Sequence, residues 1–175
     1  SQNKAEETVP LPDLVTNAYM LLGKDWLETK KDWEKAGHTI PPVMITVANT
    51  TTTSSRIKYS FDHKEILLKE LCDPQKTLQI DSKVLNKAES SDKSLELDLT
   101  PDVFGEIKLT KQQQAEYMRL TVDTVGQLGQ PGEQIQNVIS VGMLSEGWDA
   151  KTVTHIMGLR AFSSQLLCEQ VVGRG

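Results

Sequence analysis

Cysteine is nearly absent from this 175-residue chain: Cys72 and Cys168 stand far apart, in no CxxC or metal-ligand spacing. A disulfide scaffold and a cysteine-built metal site are therefore not expected, and the two read as buried or free thiols of a reducing compartment. No apolar run approaches the ~20 residues that a membrane helix needs. The segment SQNKAEETVP has neither a basic region nor an apolar core of the secretory kind. An excess of positive charge is missing too. The net charge is -5 and the pI about 5.2, which argues against an independent, strongly DNA-binding module. No internal repeat is visible.

Two nucleotide-site signatures are also lacking. The only Gly-Lys pair, Gly23–Lys24, has no glycine five residues earlier and no Ser or Thr after it, so it is not a P-loop. No apolar strand ends in paired acids of the magnesium-binding type; QIDSK comes nearest, but Asp81 lacks an acidic neighbour. His38, His63 and His155 have no partners at ligand spacing, and His155 reads as a core histidine inside a strand.

What is present is an alternation of helical and strand patterns. Residues 1–40 read as a polar tail and a helical arm or linker. Within it Val15, Tyr19, Leu22, Trp26 and Trp33 form one apolar stripe from Pro12 to about Lys35, packed on something. Pro41 and Pro42 end the arm. VMITVANT reads as a strand buried on both faces, and the following Thr/Ser run offers turn and helix-cap chemistry. An amphipathic helix is expected from there to about Cys72, then a strand at TLQI. Residues 86–110 read as a long loop or insertion with a small hairpin at LELDL and EIKL. A helix from Lys111 to near Val125, strands at NVISVGM and TVTHIMGL, and a closing helix from Ser164 complete the pattern. Strand–helix alternation predicts a parallel sheet with helices on both faces.

Open parallel sheets place ligands at the carboxyl ends of their strands. Glycines at 142 and 147 would let backbone approach a ligand there, and Asp149 offers an acceptor beside it. On the expected closing helix, Gln170 and Arg174 share one face, and an arginine's planar fork suits polyphosphate. The simpler readings are packing for Trp148, an N-cap for Asp149, and caps for Ser163 and Ser164.

The stretch SVGMLSEGWDAKTVTHIMGLRAFSSQLLCEQVVGRG resembles motifs V and VI of superfamily 2 helicases and translocases, and more narrowly the Res subunit of type III restriction enzymes. SEGWD matches motif V. QVVGRG matches the start of the Q-x-x-G-R-x-x-R motif VI, and VMITVANTTTTS resembles motif IV. Ala161 stands where the family usually has proline. The resemblance implies a RecA-like three-layer fold over residues 41–175, the second of two such domains, truncated inside motif VI and inactive alone. ATP and Mg²⁺ would be held mainly by an upstream RecA-like domain, and a nuclease centre would lie downstream. Asp149 would contact the ribose, Gly147 and Gly173 would allow close approach, Gln170 would organise motif VI, and Arg174 would act as the arginine finger. Thr50, Ser140, Gly142 and Met143 would face DNA phosphates; no metal ligand is expected in this chain. DNA, the upstream domain and a modification (methyltransferase) subunit are the implied partners, in the cytoplasm and away from membrane. The competing reading is a RecA-like binding module without turnover. A receiver or flavodoxin-like domain would want acidic or phosphate-loop clusters that VMITVANT and LQIDSK supply poorly.

Overall fold

The computed structural model describes residues 6–81, 110–142, 151–162 and 165–172. Helix α1 spans Asp13–Lys35, and its stripe is the expected one: Val15, Tyr19, Leu22 and Trp26 are buried, while Trp33 is half-buried. The stripe lies against the sheet. Tyr19 Oη and Thr46 Oγ1 are 2.7 Å apart, and Trp26 Nε1 donates to Pro42 O at 2.8 Å. The helix is thus packed into the same core as the strands that follow it.

Strand β1, Val43–Ala48, is buried almost throughout, as its nearly unbroken apolar run predicts. Helix α2, Thr51–Asp62, starts at Thr50, whose side chain accepts from Thr53 N–H at 3.1 Å. It does not reach Cys72 as its amphipathic pattern suggests. It stops at Asp62 because Lys64 adopts a left-handed backbone, φ 56°, while Glu65 N–H reaches Ser60 O at 2.8 Å. This closure commonly uses glycine, and the sequence carries none here. Ile66, Leu68, Leu71 and Cys72 are still buried, but from a loop and a short 3₁₀ turn, Lys69–Leu71.

Strand β2, Thr77–Asp81, fits the TLQI expectation. Helix α3, Lys111–Asp123, opens on a reciprocal capping box between Thr110 and Gln113 and ends two residues before the expected Val125. Strands β3, Asn137–Val141, and β4, Val153–Phe162, follow. The expected hairpin within 86–110 lies outside the described residues. The expected closing helix is corrected: Gln165–Val172 is strand β5, antiparallel to β4, with Phe162 opposite Gln165 and His155 opposite Val172. The apolar doublets Leu166–Leu167 and Val171–Val172 suit either period, and the strand satisfies backbone groups on the outer edge of β4.

The sheet order is β2-β3-β1-β4-β5, with the first four strands parallel. Side-chain alternation gives the sheet two apolar faces. One carries Met44, Ala48, Ile139, Met157 and Leu159 under α1 and α2; the other carries Val43, Ile45, Ile80, Val138 and Val153 under α3. Helices therefore cover both faces of a parallel α/β sheet, as the alternation of patterns predicts.

Candidate functional site

β1 lies between β3 and β4, so the turns after these strands share one edge of the sheet. The turn after β3 begins at Gly142, whose φ of 77° favours glycine. Its N–H donates to Ala48 O, the last residue of β1, at 2.8 Å. Ser140 is fully buried, and its hydroxyl donates to Gly142 O at 2.8 Å. Two hydrogen bonds thus fix Gly142 at the exit of β3, one of them against the end of the strand that carries VMITVA.

On the same edge, Thr50 is exposed at the start of α2, and its hydroxyl serves the first turn of that helix. Gln79 of β2 donates through Nε2 to Ser54 Oγ at 3.0 Å and Ser55 Oγ at 3.2 Å, tying the first turns of α2 to the sheet. The Thr/Ser run therefore supplies the cap and the α2–β2 contact, and the first-turn N–H groups of α2 point to the strand ends.

Of the nine residues singled out from the sequence, Thr50, Ser140 and Gly142 come together at this edge. Gln170 lies on β5, opposite Met157 of β4, and not on a helix. The helical register that was to put Gln170 and Arg174 on one face is therefore absent. Met143, Gly147, Asp149, Gly173 and Arg174 lie outside the described residues. Gly142 N–H and the Ser140 and Thr50 hydroxyls donate within the protein, which leaves first-turn N–H groups of α2 as the donors that could meet a phosphate oxygen. Among the described residues, no group of three His, Cys, Asp or Glu side chains is placed to hold a metal ion, and no helix is long and apolar enough to cross a membrane.

Two polar features were not legible as sites in the sequence. His155 is buried as expected, yet it has partners on both ring nitrogens: Thr154 Oγ1 at 2.6 Å from Nδ1, and Asp25 Oδ2 at 2.6 Å from Nε2. The second partner comes from α1 and leaves no signature in local spacing. Cys72 is buried and donates through Sγ to Ile66 O at 3.2 Å. Burial pushes its thiol up to about 11, with Lys64 opposing and Asp62 and Glu70 reinforcing the shift. It is a structural thiol, with none of the activation a nucleophile needs.

Set against known proteins, the chain matches no family model, no curated protein and no solved structure.

Proposed function

We propose that this chain is the second RecA-like domain of an ATP-dependent DNA translocase of the type III restriction Res type. Its job would be to complete an ATP site and couple hydrolysis to movement on DNA. One observation supports this reading above the others. The exits of β3 and β1, which lead into the motif V-like and motif IV-like stretches, are joined by the Gly142 N–H to Ala48 O bond. A parallel sheet with helices on both faces suits the RecA-like expectation.

In this reading, the backbone N–H groups of Met143 and of the start of α2 hold phosphate oxygens of the tracked strand, while Gly142 N–H stays with Ala48 O. Asp149 accepts a hydrogen bond from ATP's ribose, and Arg174 neutralises charge on the transferred phosphoryl group. ATP with Mg²⁺ supplies the phosphoryl chemistry when bound across the two domains. Duplex DNA, the first RecA-like domain and a methyltransferase subunit are the partners.

The test is DNA-stimulated ATP hydrolysis by the full parent protein. Arg174→Ala should lower turnover by about 10³-fold, the scale of an arginine finger, with DNA binding and fold retained. Unchanged turnover removes Arg174 from the mechanism, and robust hydrolysis by these 175 residues alone overturns the assignment of a second domain.

The second reading, a RecA-like module that binds DNA or protein without turnover, is favoured by one feature. Gln170 lies on β5, so the helix that would present a motif VI arginine to a neighbouring domain is not formed. A parent that binds DNA yet hydrolyses no ATP with or without it would establish that reading.

A further inference from the structure

At the opposite edge of the sheet, the last turns of α1, the 38–42 turn and the starts of β2 and β3 enclose a cleft of about 150 Å³. That is well below the ~300 Å³ at which drug-sized pockets begin, so it has room for one ring and a substituent. Its walls are fixed from behind. Trp26 Nε1 holds Pro42 O at 2.8 Å, and His38 N–H donates to Trp33 O at 2.9 Å, which sets the imidazole beside the indole with ring centroids 5.7 Å apart. At the end of α1, the Ala36, Gly37 and His38 N–H groups take the carbonyls of Asp32, Glu34 and Trp33.

Two polar groups in the wall are left for something else. Gln136 is 1% exposed; its Nε2 donates to Glu70 O at 2.7 Å, and among the described residues its Oε1 meets no donor. That oxygen is not sealed from solvent, so a donor entering the cleft can reach it. Lys30 pairs with Glu34 at 3.8 Å, but Lys76 has no carboxylate within ion-pair reach among the described residues. The cleft therefore combines an aromatic wall, an unfilled acceptor and one uncompensated cation.

We propose that this cleft binds a small planar heterocycle carrying a ring N–H and a single anionic group. The ring lies against Trp33 and His38, its N–H donates to Gln136 Oε1, and its anion pairs with Lys76. The site is independent of the translocase reading and of the edge that supports it.

Orotate has this chemistry, uracil keeps the ring N–H without the carboxylate, and benzoate keeps the carboxylate without the N–H. Calorimetric titration of the 175-residue chain should show orotate binding, with uracil and benzoate each about tenfold weaker, the scale of one charge-assisted contact. Lys76→Gln should cost orotate about tenfold and leave uracil unaffected. Trp33→Leu should weaken all three, and orotate should move the Trp33 indole N–H resonance. Absence of orotate binding at millimolar concentration overturns the proposal, as does orotate affinity indifferent to Lys76→Gln. Tm values matching the parent chain establish that both variants are folded.

Discussion

Asp25 of α1 and His155 of β4 are joined side chain to side chain, with Oδ2 and Nε2 2.6 Å apart. The hydrogen-bond pattern is satisfied when the neutral ring carries its proton on Nε2 and the Thr154 hydroxyl donates to Nδ1. Asp25→Ala leaves a buried N–H without its carboxylate and should destabilise the chain by about 1–2 kcal/mol. Asp25→Asn keeps an acceptor oxygen and should lose less. Urea unfolding at neutral pH measures both, and equal loss from the two variants would mean that the charge matters and the acceptor does not.

Cys72 gives a prediction in alkali. Its folded thiol is raised from 9.0 to about 11, so between those values the unfolded chain ionises while the folded chain keeps its proton. Stability from this group is complete below pH 9 and is lost as pH rises toward 11. The urea midpoint of the parent chain should therefore fall more steeply over that window than that of Cys72→Ala. In a Cys168→Ala background at pH 7.5, iodoacetamide should modify Cys72 only at the rate of unfolding.

Gly132 leaves no space for a side chain. A Cβ there would come within 2.4 Å of Thr121 O and 2.5 Å of Val125 N, both backbone atoms that cannot step aside. Gly132→Ala should cost about 1–3 kcal/mol and also disturb the 3.0 Å bond from Gly132 N–H to Thr124 Oγ1. A thermal melt showing no loss would mean that the 126–136 loop rearranges freely.

Thr50 separates two roles. Thr50→Ala should cost about 1 kcal/mol through the lost cap. Thr50→Asp should keep the cap and the Tm, yet place a negative charge where the proposal puts phosphate. DNA affinity of the parent should then fall about three- to tenfold in 50 mM salt and less in 200 mM. Equal affinity of Thr50→Asp and the parent would leave Thr50 as a helix cap alone.

The elements easiest to read in the sequence were those whose periodicity comes from packing. Val15, Tyr19, Leu22 and Trp26 repeat at helical spacing because one face of α1 meets the sheet, and VMITVA is apolar but for Thr46 because β1 is covered on both faces. The end of α2 was hidden, since a lysine takes the left-handed position where glycine would have signalled a stop. β5 was hidden for another reason: a short apolar segment beside an open strand edge is decided by the edge, and Gln165–Val172 has no period of its own that excludes strand. At the candidate site, Thr50 and Gly142 were legible from turn chemistry. The Asp25–His155 pair and the Trp33–Lys76–Gln136 cleft join residues far apart in the chain, and no local pattern announces such contacts.

The central place of β1 also bears on how the chain is made. Met44 pairs with Asn137 on one side and His155 on the other, so β1, the first strand of this sheet to be made, has neither neighbour until translation has passed β3 and then β4. Until then its apolar run and both its edges are uncovered, a state in which nascent chains aggregate or engage chaperones. Such distant pairing also slows folding. The segment that anchors the finished sheet is therefore the one most in need of protection during synthesis.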